Sequence, residues 1–106
     1  MLSGCVRPIV AALICCAVST PVRAATIQIV MENLEIEPAK ASARAGDTIE
    51  WINKDVFAHT ATARNGDFDV TLPPNRTVSV VLKKAGAVDY YCRFHPNLMA
   101  VLKIEP

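Results

Sequence analysis

The chain has 106 residues, 52% of them apolar, with eleven Lys and Arg against ten Asp and Glu. That length allows one small domain. The near-balanced charge excludes nucleic acid and an anionic membrane surface as partners, and the absence of a sustained helical period or an internal repeat excludes a helical bundle or solenoid.

Read in chain order, the first stretch stands apart. Arg7 precedes the apolar run Ile9 to Val18, which is followed by Ser19, Thr20, Pro21 and the ending V-R-A-A. A positive start, an apolar run of about ten residues and a small-residue ending are the order of a secretory leader, and the run is well short of the roughly 20 residues that span a bilayer. The expected organisation is therefore a leader helix over 1–24, cut after Ala24 with Ala25 as the alternative, and a periplasmic domain over 25–106 with no membrane attachment. The cut removes Cys5, Cys15 and Cys16, so Cys92 becomes the single thiol, and it leaves nine Lys and Arg against ten Asp and Glu. A lone thiol in an oxidising compartment is a liability unless something occupies it. A domain this small buries only about 60% of its unfolded surface, so a bound ion would add stability.

Short β-rich pieces follow. The segments 25–31, 39–44, 48–53, 59–63, 67–72, 76–83, 87–92 and 99–105 read as strands, with turns at Ala45-Gly46-Asp47, Asn65-Gly66, Pro73-Pro74 and Ala85-Gly86. Ile27 and Ile29, Ile49 and Trp51, and Val78, Val80 and Leu82 each share a face. Seven or eight strands at this spacing predict an all-β fold, a small Greek-key antiparallel sandwich. Trp51 reads as the large residue that fills the space between the sheets. The stretch L-E-I-E-P at 34–38 reads as the wet face of a strand.

The chemistry-bearing residues of the mature chain are few: His59, His95, Cys92, Met31 and Met99. Cys92 and His95 are three apart, so a strand-end turn lets them converge, but such a pair alone is weak evidence. What strengthens it is W-I-N-K-D-V-F-A-H (51–59), a strand and polar loop that deliver His59 to a strand start. In a sandwich those two segments can share one pole. Two imidazoles and one thiolate with a weak axial fourth ligand are the donor set of a mononuclear copper electron-transfer site, whereas a structural zinc site normally takes four strong ligands.

The stretch from Gly46 to Glu105 resembles the cupredoxins, the blue copper proteins, and among them the small amicyanin- and pseudoazurin-like type. The resemblance is carried by G-D-T-I-E-W-I-N-K-D-V-F-A-H-T and Y-Y-C-R-F-H-P-N. It implies one copper ion held by His59, Cys92 and His95, with Asn53 tying the two ligand-bearing loops together. For the fourth position it implies a methionine sulfur, for which Met99 is the candidate. An ungapped match instead puts Leu98 three residues after His95, so the axial position is open between Met99, Leu98 and no ligand. The function implied is one-electron transport between redox protein partners, docking transiently near Phe94, His95, Pro96 and Leu98, by a monomer that is not an enzyme. The alternative is a copper-binding or delivery protein without a carrier role. A cysteine hydrolase using Cys92 and His95 is disfavoured because His59 converges on the same thiol.

Overall fold

The computed structural model describes residues 23–106; the expected leader over 1–24 lies almost wholly outside them. Nine strands form. They are β1 (Thr26–Glu32), β2 (Glu35–Glu37), β3 (Lys40–Arg44), β4 (Thr48–Asn53), β5 (His59–Ala63), β6 (Asp69–Leu72), β7 (Thr77–Val81), β8 (Gly86–Cys92) and β9 (His95–Glu105). Among the described residues there is no helix, and hence none long and apolar enough to cross a membrane. One sheet has the order β2-β1-β4-β7 and the other β3-β9-β8-β5-β6.

The all-β sandwich holds, but neither sheet is purely antiparallel. β1 pairs with β4 in parallel, Ile29 opposite Trp51, and β3 pairs with β9 in parallel, Ala41 opposite Leu102. The reason is topological. β2 turns back beside β1, β3 crosses to the other sheet, and β4 then returns alongside β1 running the same way. Alternation along a strand reports which face is buried and is silent on strand direction. β2 was hidden inside the L-E-I-E-P stretch. Its burial is as read there, Glu35 and Glu37 outward, but Ile36 turns into the core.

The core is built from the inward positions of both sheets. Ile29 and Met31 of β1 and Ile49 and Trp51 of β4 meet Val88 and Tyr90 of β8 and Ala100, Leu102 and Ile104 of β9. Trp51 is fully buried, with Phe68 and Tyr90 rings 5.2 and 5.6 Å from it. Its indole Nε1 donates to the Tyr90 hydroxyl at 3.3 Å, so the two large rings bury without orphaning their polar tips. Burial pushes the Tyr90 hydroxyl up to about 12, against the smaller opposing effect of the Trp51 donor.

Inward alternation along β4 ends on Asn53, one step past Trp51, and along β8 it ends on Cys92, one step past Tyr90. Both strands thus deliver a polar or sulfur-bearing residue to the same pole. There β5 begins at His59 and β9 at His95. At the opposite pole the turn into β4 uses Gly46 at φ +98°, a conformation that side-chain-bearing residues rarely adopt.

Candidate metal centre

Three donors meet at that pole. The ring nitrogens of His59 and His95 and the sulfur of Cys92 all lie within 4.8 Å of one another. Each imidazole presents Nδ1 to the sulfur, at 3.6 Å from Cys92 Sγ in both cases. Two donors about 2.0 and 2.3 Å from a common ion, the usual nitrogen and sulfur distances for a late first-row metal, span 3.6 Å at an angle of roughly 110°. Each sulfur–nitrogen pair therefore suits one ion, and the three donors are grouped around a common point. Cys92 and His59 are fully buried, while His95 is half-buried and gives the cluster its edge to solvent.

Local structure explains each placement. Cys92 pairs with His95 across the hairpin from β8 to β9, so only Arg93 and Phe94 stand between them and the two side chains are neighbours. His59 is the first residue of β5, and its ring is set by Asp55. The two Asp55 oxygens divide their work: Oδ2 accepts from His59 Nε2 at 2.7 Å, and Oδ1 accepts from the Asn33 amide at 2.8 Å. Burial would raise the Asp55 carboxyl, but the His59 hydrogen bond and the amides of Asn33 and Leu34 outweigh it and hold the group below the usual carboxylate range. A carboxylate that stays charged can only accept. It therefore keeps the His59 proton on Nε2 and leaves the Nδ1 lone pair facing the sulfur, as a carboxylate behind a metal-bound histidine commonly does.

A family model, the cupredoxin-like domain, matches residues 6–102 of this sequence. The chain belongs to that family. Among relatives, this cupredoxin is 30% identical over 80 residues to the "Methylamine utilization protein MauL" of Methylorubrum extorquens, covering 72% of this chain and 70% of that protein. It is 21% identical over 81 residues to amicyanin of Paracoccus versutus, covering 71% of this chain and 61% of that protein. In fold it is similar to the novel purple cupredoxin from Nitrosopumilus maritimus, with a TM-score of 0.66, 23% identity and coverage of 74% of this chain and 99% of the other. Within this family the His59, Cys92 and His95 cluster supports one type 1 copper ion.

The cupredoxin's fourth expected donor is not brought to the cluster. Met99 pairs with Tyr91 on the outward face of β9 and is 55% exposed, whereas Leu98 and Ala100 on either side of it are buried. Between the Cys92 to His95 pair and the Tyr91 to Met99 pair the ladder shifts register, leaving Pro96, Asn97 and Leu98 opposite no residue of β8. That bulge sets the phase of β9, so Leu98 shares the inward face used by Cys92, and Met99 takes the other. Burial also removes Leu98 from the expected docking patch, while Phe94 and Pro96 stay exposed.

Asn53 also does something other than expected. Its Nδ2 donates to the carbonyls of Phe57, Leu72 and Pro73, and its Oδ1 accepts from the Asp55 amide at 2.8 Å. It braces the loop that carries Asp55 and His59. The tie between the two ligand-bearing segments is Thr60. Its amide donates to Cys92 Sγ at 3.3 Å, and its hydroxyl accepts from the Arg93 amide at 2.8 Å. The threonine hydroxyl is then free to donate to Thr62 Oγ1 at 2.9 Å, and Thr62 donates to Asp69 at 2.8 Å. Thr60 did not stand out in the sequence, since a threonine after a histidine is ordinary, and Asp55 entered only as a polar residue of the loop before His59, with no role of its own. The usable signal was Asp55 at four residues before His59 within a short loop.

Phe57 completes the pole. Its ring stacks 5.2 Å from His59 and 5.3 Å from His95, and the two imidazoles lie 5.2 Å apart. Beside Phe57 and His95 in the chain, Val56 is 80% exposed and Phe94 51% exposed, so both loops carry an apolar side chain open to solvent.

Proposed function

We propose that this cupredoxin is a periplasmic one-electron carrier, exported on a leader spanning residues 1–24, that holds copper on His59 Nδ1, Cys92 Sγ and His95 Nδ1. When bound, the copper supplies a Cu(II)/Cu(I) couple. The observation that carries the reading is a donor set assembled in advance and locked from behind: His59 by Asp55, and the sulfur by the Thr60 amide. A site whose ligands need little movement suits electron transfer, because neither oxidation state demands reorganisation. A delivery protein must let its ion go to a partner, and two fully buried donors oppose that. On this reading neither histidine is left to serve Cys92 as a base.

His95 is the exit for the electron, being the donor nearest solvent. Val56, Phe57 and Phe94 around it form the face that meets redox protein partners transiently. Arg64 and Arg93 contribute little as a free basic rim, since Arg64 stacks on Tyr91 at 4.2 Å and Arg93 pairs with Asp69 at 3.2 Å. The test is to add Cu(II) to the exported protein and record visible absorption, EPR and a voltammogram. The carrier reading expects an intense thiolate-to-copper band saturating at one equivalent, with a reversible one-electron wave. A colourless protein that binds only Cu(I) would move the assignment to delivery.

On this reading Leu98 rather than Met99 is the residue that would stand on the copper's side of β9, because Leu98 shares the inward face with Cys92. A thioether there would favour Cu(II) over a leucine that donates nothing. Leu98→Met is therefore expected to lower the reduction potential. A preference of one to two powers of ten for Cu(II) corresponds to about 60 to 120 mV in a one-electron couple. An unchanged potential would return the axial role to another group.

A further inference from the structure

The pole opposite the metal centre carries a second arrangement that the electron-carrier reading does not use. Asp47 is only 6% exposed, and its two oxygens hold two backbone donors: Oδ2 takes the Arg44 amide and Oδ1 takes the Ala25 nitrogen, each at 2.8 Å. The Arg44 bond is an ordinary turn closure, three residues away. The Ala25 bond reaches 22 residues back along the chain to the residue before β1. The Ala25 carbonyl in turn accepts from the Thr48 amide at 2.9 Å. Ala25 is thus pinned on both sides, and Arg23 and Ala24 before it are exposed. The two backbone donors, Ala25 first and Arg44 second, hold the Asp47 carboxyl below the usual carboxylate range despite its burial, aided by the Arg44 charge, so it is an anion.

The position of that anion is informative when set beside the leader. A cut after Ala24 has Ala24 next to the scissile bond and Val22 two residues earlier, whereas a cut after Ala25 would put the charged Arg23 at the earlier position. Leader peptidases want small uncharged side chains at both places. We infer that the leader is removed between Ala24 and Ala25, and that the amine this releases forms an ion pair with buried Asp47 that latches the mature domain shut. The inference rests on the exported-carrier reading. Hydrolysis by a leader peptidase places the elements of water across the Ala24 to Ala25 peptide bond. The hydroxyl goes to the Ala24 carbonyl carbon, and the resulting acid releases its proton as the Ala25 nitrogen takes one to become an ammonium. A neutral amide donor on the Asp47 anion is thereby replaced by a cation, which adds the attraction of two opposite charges at hydrogen-bonding distance to a bond already made to an ionised acceptor. The same carboxylate would stabilise the domain more after export than before it.

The full-length chain, exported and purified, is weighed by intact mass and unfolded in urea beside two variants. One inserts Gly-Ser between Ala24 and Ala25, which moves the amine away but keeps the Ala25 amide; the other is Asp47→Asn, made in both backgrounds. The expected mass begins at Ala25, the insertion shifts the urea midpoint downward, and Asp47→Asn shifts it further in the native form than in the inserted one. A chain beginning at Thr26, or equal losses in the two backgrounds, overturns the latch while leaving export intact. An exported protein that keeps residues 1–24 overturns the latch together with the export reading beneath it, and the copper spectrum then reports separately on the carrier.

Discussion

Cys92→Ser is expected to yield a folded protein that shows no intense visible band on adding Cu(II) and an EPR spectrum of ordinary, weakly bound copper. Folding survives because the exchange is nearly isosteric and the new hydroxyl can accept the Thr60 amide that now points at Cys92 Sγ. What is lost is the covalency of a thiolate, the one soft anionic donor in the set. Cys92 is the free cysteine among the described residues, and it is fully buried. Met99 does not stand ready to replace it, since it lies on the outer face of β9, and a thioether such as that of Met31 is a neutral donor that lacks the thiolate's charge. Visible absorption of wild type and variant at equal copper loading decides the matter. A band that persists in Cys92→Ser would mean that the absorbing sulfur is elsewhere, and the assignment of the centre would fail.

The sequence was legible where side-chain chemistry and strand alternation carry the information. Trp51 and the inward residues Ile29, Ile49 and Leu82 declare themselves by apolar period, and the three donors by type and spacing. Three features were not legible, each for a physical reason. Parallel pairing of β1 with β4 depends on which sheet β3 joins, and alternation is blind to that. The side of β9 that carries Leu98 depends on the register shift next to Cys92; a one-residue slip exchanges inner and outer faces, so counting from His95 could not choose between Leu98 and Met99. The tie expected of Asn53 falls to Thr60, because a polar residue near a ligand says nothing of which backbone groups lie within reach. Asn53 finds Phe57, Leu72 and Pro73, and only the fold shows that Thr60 stands between Cys92 and Arg93.

Asp55→Asn is expected to weaken Cu(II) binding by about 10- to 100-fold, the range seen when an outer-shell partner of a metal-bound histidine is lost. Asp55 satisfies two donors at once, Asn33 N–H on Oδ1 and His59 Nε2–H on Oδ2. A carboxamide has one oxygen and one NH₂. If the oxygen stays with Asn33, the NH₂ faces His59 Nε2 and drives the ring proton to Nδ1, the nitrogen that faces Cys92. Any ion must then displace that proton or turn the ring. If the amide flips, His59 keeps its tautomer, but the Asn33 amide meets a donor at the head of a turn in which Asn33 and Leu34 both adopt positive φ, at 55° and 60°. Leu34 has no glycine-like freedom there, so that turn depends on its outside support. The flipped choice leaves the Asn33 amide without an acceptor, which costs about 1–3 kcal/mol, whereas the unflipped one meets every donor but takes the Nδ1 lone pair from the ion. The apo variant should lose no more than that amount of stability in urea, while a chelator competition reads the fall in affinity. Stability and affinity falling together would show that the Asp55 carboxylate holds the imidazole before the metal arrives. Wild-type affinity in Asp55→Asn would instead assign that task to Phe57, whose ring packs against both histidines.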